Sequence, residues 1–439
     1  MKNKITFLFF LFTISLFSQD NVQSFTLQEA IDFALANNRS VLNAQRDVEA
    51  AKQQKWETIA SGLPQLSGNI DYQNNIKQQF PGIDFDGDGN VDFGAKQSMT
   101  VGAVLNQKIF DGSYIVGLQS AKVFLEISKN AKQKTDLQIR EAVVNAYGNV
   151  LLSEESLDII NSNITILQKN VDETTKIFEN GLEEEESVEQ LKITLSGVKS
   201  QLNNTKRLKL IAYQMLNITL GIDVNTPLNL TDDLESLTAQ NMNLELLTAS
   251  ETITDNIDYK IAANDKISKE LLVDLERSKA LPTLNAFLNG AYIGNNEKFQ
   301  FTTRNQTWVG TAAFGATLSI PIFSSGMRSA STQRARINLE KAESNLIETE
   351  QQLRLEIASA KSDYELAIEE YSNKKENLNL AERIEAKNQT KFFEGVGSSF
   401  ELRQAQTQLY AAQQEFLQAM LNVINNKAEL ETVLNKPTN

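Results

Sequence analysis

The 439-residue chain contains no Cys and no His, which excludes disulfides, thiol or imidazole catalysis and metal centres built on those side chains, so an enzyme is not expected. Its formal charge of -14 has the wrong sign for gripping phosphates, and no nucleic-acid partner is expected. With only 6 Pro and 20 Gly to punctuate it, the chain must consist of long elements.

Lys2 and Lys4 precede an apolar run from Ile5 to Phe17, followed by Ser18, Gln19 and Asp20. This order of charged, apolar and polar regions predicts a cleaved secretory signal over residues 1–19, because the run falls short of the roughly 20 residues a spanning helix needs. No later stretch is apolar enough to form such a helix. A membrane crossing by the mature chain would have to use strands.

The remainder repeats itself, with a first structural repeat over 20–221, a linker over 222–243, a second repeat over 244–435 and a tail over 436–439. Asn38, Leu63, Pro64 and Leu66 align in one register with Asn256, Leu281, Pro282 and Leu284. Thr26 and Glu29 have capping-box spacing ahead of Ala30, Ile31, Ala34 and Leu35, and a second helix is expected to run to Leu63, where Pro64 stops it. A β-hairpin follows over 64–110. In it Leu66, Gly68, Ile70 and Tyr72 alternate with Ser67, Asn69, Asp71 and Gln73, and Met99, Val101, Ala103 and Leu105 begin the return strand.

The connecting loop holds Asp84, Asp86, Asp88, Gly89 and Asp92 at the spacing of the first nine positions of a calcium-binding loop. Ala95 stands where the last ligand would be and cannot coordinate, so a plain acidic surface loop is weighed against a structural calcium site. No other cofactor is expected.

A coiled-coil hairpin is predicted over 113–220. Val143, Val150, Leu157, Ile164 and Val171 fall seven apart, with Ile160 and Leu167 on the companion position. The second repeat follows the same plan, with a helix from about Asp258 to Ala280, a β-hairpin over 281–323 and a coiled-coil hairpin over 326–435. Its seam carries Leu339, Leu346, Leu353, Ala360 and Ala367, flanked by Ile357, Tyr364, Tyr371 and Leu378. The expected fold is mainly α with membrane β. Four strands cannot close a barrel in lipid, and three copies are the fewest that leave a lumen, so a homotrimer is expected.

The strings Phe25-Thr26-Leu27-Gln28-Glu29-Ala30, Leu63-Pro64-Gln65-Leu66, Ile109-Phe110-Asp111-Gly112 and Gly395-Val396-Gly397-Ser398, in this order, resemble the TolC-like outer membrane efflux family. The resemblance implies a trimer with a twelve-stranded barrel in outer membrane lipid and a periplasmic α-helical tunnel. It also implies a passive duct docked to a periplasmic adaptor and an inner membrane pump or secretion ATPase. On this basis Gly181, Leu182, Val396, Gly397 and Ser398 are adaptor-docking tips, although Gly stops helices regardless of any partner. Glu401 matches an acidic family position at the tunnel entrance, with Glu183, Glu184, Glu185 and Glu186 at the other tip. Against this, Ser398 and Glu401 also have capping-box spacing, and the four-Glu run suits a helix N-terminus. Gln404 departs from the acidic residue some members carry, and no N-terminal Cys is present for acylation. The alternatives are a periplasmic adaptor or a structural coiled-coil protein, neither of which needs a duplicated hairpin of amphipathic strands.

Overall fold

A computed structural model describes residues 23–78, 82–85, 87, 89–242, 244–248 and 252–436; the expected signal over 1–19 lies outside them. Strand β1 (Gln23–Phe25) leads into helix α1 (Leu27–Asn37), which opens on the expected capping box. Thr26 N donates to Glu29 Oε2 at 2.9 Å, and Glu29 N donates to Thr26 Oγ1 at 3.3 Å. Helix α2 (Arg39–Ala60) stops three residues short of the expected Leu63. Its end tightens into i→i+3 turns, Gly62 N donating to Ile59 O at 3.1 Å and Leu63 N to Ala60 O at 3.0 Å, and the corresponding helix of the second half closes the same way before Pro282; the Tyr114 hydroxyl also donates to Ile59 O at 3.0 Å.

Strands β2 (Gln65–Asn74) and β3 (Gln97–Phe110) form the first hairpin. The two long helices α3 (Gly112–Glu179) and α4 (Glu185–Leu220) follow. Helix α4 ends at Gly221 with φ 86°, where a Cβ would meet Asn37 O at 2.5 Å, so only Gly fits. The segment expected as a linker is built into the fold. It holds strand β4 (Leu228–Leu230), paired in parallel with β1, and helix α5 (Leu234–Asn241). Leu228, Leu230, Leu234 and Leu237 are buried in the main core with Ile31, Tyr147, Leu216, Tyr364 and Ile424. Such short elements carry too little periodicity to be read from sequence.

The second half repeats the order as α6 (Ile257–Ser278), β5 (Thr283–Asn296), β6 (Val309–Ser319), α7 (Met327–Phe393) and α8 (Ser399–Val433). The duplicated Asn pair has one job in both halves. Asn38 accepts from Ser40 N at 2.8 Å and donates to Thr219 O at 2.7 Å; Asn256 accepts from Asp258 N at 2.7 Å and donates to Val433 O at 2.7 Å. Each caps a helix and ties it to the returning end of its own coiled-coil hairpin.

The heptad seams are packed as predicted. Val143, Val150, Ile160, Leu167 and Val171 are buried, with Leu157 and Ile164 half-buried. On α7, Leu353, Ile357, Ala360, Tyr364, Ala367 and Tyr371 are buried, while Leu339, Leu346 and Leu378 are half-buried. At 1.5 Å per residue the 68 residues of α3 reach about 100 Å. Among the described residues no helix is long and apolar enough to cross a membrane.

Candidate functional site

The four hairpin strands form one antiparallel sheet in the order β2-β3-β5-β6, so the two halves join through β3 and β5, and among the described residues both outer strands are open edges. Register sorts the side chains by face. Leu66, Leu105, Leu288 and Phe314 lie in one row across all four strands, and Ile70, Val101, Tyr292 and Gly310 in another on the same face. The opposite face carries the rows Ser67, Val104, Asn289, Ala313 and Asn69, Gly102, Ala291, Thr311. One face is a band of large apolar side chains, with Phe314 79% exposed, and the other carries mostly small or polar side chains, with Phe287 and Ile293 as exceptions. A soluble sheet would bury the first face against a core.

At the far end of the long helices the chain turns twice. In the first turn Gly181 has φ 75°, and the N–H groups of Gly181 and Leu182 donate to Phe178 O and Ile177 O, closing α3. In the second, Gly395 has φ 73°, and both Val396 N and Gly397 N donate to Lys391 O, at 2.9 and 3.0 Å. A Cβ on Gly397 would lie 2.9 Å from Lys391 Cβ and 3.2 Å from Lys391 C, so this position needs Gly for space. These bonds leave Leu182 and Val396 projecting, at 78% and 74% exposure, and Phe400 beside them is also exposed. Phe400 was not anticipated; an aromatic residue in the first turn of α8 facing no heptad partner was the available signal.

Glu401 makes the capping box its spacing allowed, accepting from Ser398 N at 3.2 Å while Glu401 N donates to Ser398 Oγ at 3.2 Å. Glu184 caps α4 by position without a side-chain bond, Glu186 accepts from Gln190 Nε2 at 2.7 Å, and Glu183 accepts from Ser187 Oγ at 2.6 Å. Ser187 Oγ also lies 2.9 Å from Ser399 Oγ, which sets the first turns of α4 and α8 side by side. The acidic residues of both tips thus share one end of the molecule, each beside a helix N-terminus that favours negative charge.

Above the tips the two coiled-coil hairpins meet through polar groups that sequence reading missed. Asn163 Nδ2 donates to Gln413 Oε1 at 2.8 Å, and Gln389 Nε2 donates to Asn170 Oδ1 at 3.1 Å. Asn163 and Asn170, seven apart beside Ile160 and Leu167, were the readable signal. Within the second hairpin, buried Gln406 leaves its Oε1 without a hydrogen-bond partner among the described residues and donates weakly through Nε2 to Glu385 at 3.5 Å. Burial raises the Glu385 carboxyl above its ordinary pKa, outweighing the bond from Gln406. A carboxyl raised on folding stabilises most below its unfolded pKa, and that contribution fades as pH rises through the folded value. Glu385→Gln, whose amide can also donate to the orphan Gln406 oxygen, is therefore expected to raise the melting temperature by about 1–3 °C at pH 8, with a smaller gain at pH 5. Melting curves that stay parallel across that range would contradict this account.

In the acidic loop, Asp84 accepts Gly87 N at 2.8 Å and Gly89 N at 2.9 Å, and Asp92 accepts Phe85 N at 2.8 Å. Asp86 and Asp88 lie outside the described residues, and among the described residues no group of three or more acidic side chains is placed to hold a metal. An Ile83–Phe93 bridge closes the loop at its base.

In solved structures the same architecture occurs in CusC, in a study of folding and transmembrane channel formation, at 19% identity and TM-score 0.78 over 94% of this chain and 92% of that one. The outer membrane protein VceC of Vibrio cholerae matches at 16% identity and TM-score 0.74, over 93% of this chain and 96% of its own. The outer membrane channel CmeC of Campylobacter jejuni matches at 18% and 0.73, over 93% and 85%. No curated protein sequence matches significantly. These likenesses show the fold, and the periplasmic-adaptor and structural alternatives find no support among them. The family model of outer membrane efflux proteins matches residues 30–221 and 268–436, which takes in most of both repeats. The chain belongs to the outer membrane efflux protein family.

Proposed function

We propose that three copies of this chain close a twelve-stranded barrel in the outer membrane and stack their long helices into a periplasmic tunnel. The assembly is a passive duct, with no catalytic step, that docks to a periplasmic adaptor and an inner membrane pump or secretion ATPase. The observation that carries this is the four-stranded sheet, apolar on one face and open at both edges, continuous with helices about 100 Å long. Open edges are intolerable in lipid because each unpaired backbone group costs several kcal/mol, and pairing β6 of one copy with β2 of the next removes them all. Eight strands would be filled by side chains, whereas twelve leave a lumen lined by the small and polar face.

At the other end, Leu182, Val396 and Phe400 offer exposed apolar knobs for an adaptor, held by the Gly181 and Gly397 turns. Glu401 stays exposed while capping α8, so three copies would bring a ring of carboxylates to the tunnel entrance with Glu183, Glu184, Glu185 and Glu186 around it. Processing at the end of residues 1–19 and the repeat boundaries at 221 and 244 belong to the same proposal.

The test is to purify the full chain from outer membranes, compare heated and unheated samples on a denaturing gel, and record single channels in planar bilayers. A heat-modifiable trimer with discrete conductance is expected. A folded, monodisperse monomer without conductance would overturn the duct.

A further inference from the structure

At the end of the sheet remote from the helices, two loops connect the strands, and the one between β5 and β6 does not arch over the mouth. Its Phe301 is only 5% exposed, with ring centroids 5.5 Å from Phe299, 6.0 Å from Tyr72 and 6.3 Å from Trp308. Tyr72 belongs to the apolar face of β2, so loop 297–308 reaches across β3 to pack on that face. Gly294 agrees independently. It pairs with Met99 on the same face, and a Cβ there would lie 3.3 Å from both Phe301 Cδ1 and Trp308 Cε3. Asn296, next on this face, is buried and donates through Nδ2 to Gln306 Oε1, so the polar end of the strand is sealed beneath the loop.

Charge in the loop is sorted as well. Glu297 turns toward the other loop, accepting from Gln78 Nε2 at 3.0 Å and Lys96 N at 3.3 Å. Lys298 and Arg304 are exposed and make no ion pair or hydrogen bond among the described residues, and Phe299 between them is 56% exposed. In an acidic protein, one loop of twelve residues thus carries two unpaired cations and an exposed aromatic ring.

We propose that loop 297–308 is a lipid-binding clamp, its aromatic rings seated at the outer interface of the bilayer and Lys298 and Arg304 holding phosphate-bearing headgroups of the surrounding lipid. This rests on the apolar face being the lipid-facing side of a barrel. Tyr and Trp at the interface supply an apolar body and a polar edge, and the two cations supply charge-assisted bonds to phosphate.

The chain's two Trp residues are Trp56 and Trp308, so Trp56→Phe leaves Trp308 as the sole reporter beside the clamp. The full-length Trp56→Phe trimer is reconstituted in vesicles containing equal mole fractions of brominated phosphatidylglycerol or brominated phosphatidylcholine, with bromine near the headgroup. Quenching of Trp308 is expected to be at least twofold stronger with phosphatidylglycerol. Lys298→Gln with Arg304→Gln should abolish that preference while leaving quenching by phosphatidylcholine unchanged, and Lys298→Arg with Arg304→Lys should retain it. Equal quenching by the two lipids in the parent, or a preference that survives the double Gln change, overturns the clamp. If trimers conduct but neither lipid quenches Trp308, the loop is covered by protein and the clamp fails alone. Absence of both quenching and conductance removes the barrel reading and the clamp with it.

Discussion

Leu288→Arg and Phe314→Arg are each expected to reduce outer membrane trimers at least tenfold. The two residues are cross-strand partners near the middle of β5 and β6, in the row that also holds Leu66 and Leu105. In the proposed barrel they face the hydrocarbon near the bilayer midplane, where an introduced Arg costs about 2–4 kcal/mol. One such change places three charges in a trimer, so the penalty is counted three times in assembly. The control is Asn289→Arg, one residue along β5 on the opposite face, beside Ala313 and Val104. Facing a lumen, it should leave trimer yield within about twofold and alter conductance instead. Quantifying heat-modifiable trimer in outer membrane fractions decides between the faces. Equal yields from Leu288→Arg and Asn289→Arg would show that the apolar face does not meet lipid.

The long elements could be read from sequence because their physics is periodic. Seven-residue spacing of Val143, Val150 and Val171 dictates a helix seam, and two-residue spacing of Leu66, Gly68, Ile70 and Tyr72 dictates a strand with unlike faces, as the buried seam and the cross-strand rows bear out. What joins such elements follows no period. The pairing of β3 with β5, which makes two hairpins into one sheet, depends on side chains more than 170 residues apart, from Val101 to Tyr292 or Leu105 to Leu288. The parallel bridge of β1 with β4 rests on three residues from each strand, and the anchoring of Leu27 N and the Tyr147 hydroxyl on Asp232, at 2.7 and 2.8 Å, is a purely tertiary arrangement.

At the tips, spacing alone left Glu401 between a capping role and a charged entrance. The geometry makes it a cap that remains exposed, so the two roles are compatible. Asn38 and Asn256 illustrate the other side of the problem. Their recurrence was visible in the repeat, but the reason for it was the distant carbonyl each one holds, Thr219 O and Val433 O.

Gly397→Pro is expected to abolish transport of a known cargo while trimer yield in the outer membrane stays within about twofold of the parent. The position closes the turn between α7 and α8, about 100 Å along α7 from the sheet. Its N–H is one of two that satisfy Lys391 O, and Pro has none to give. The added ring carbons would also enter space already filled by Lys391, where even a Cβ comes within 2.9 Å. Pro further drives the preceding residue toward extended backbone, so Val396 would lose its own 2.9 Å bond to Lys391 O and swing away from its present position. The Ser398–Glu401 capping box begins one residue later and would shift with it. None of these contacts reaches the core around Tyr147 and Tyr364 or the strands, which is why assembly should survive. The paired measurement is trimer yield, and adaptor cross-linking with cargo transport. Normal trimers with undiminished cross-linking and transport would mean that the tip is only a turn. Val396→Asp separates shape from chemistry, since it keeps every backbone bond and replaces one exposed apolar knob by a charge. If docking depends on that knob, Val396→Asp should lower cross-linking about tenfold with the α7–α8 turn intact, the scale of losing about 1.4 kcal/mol at an interface.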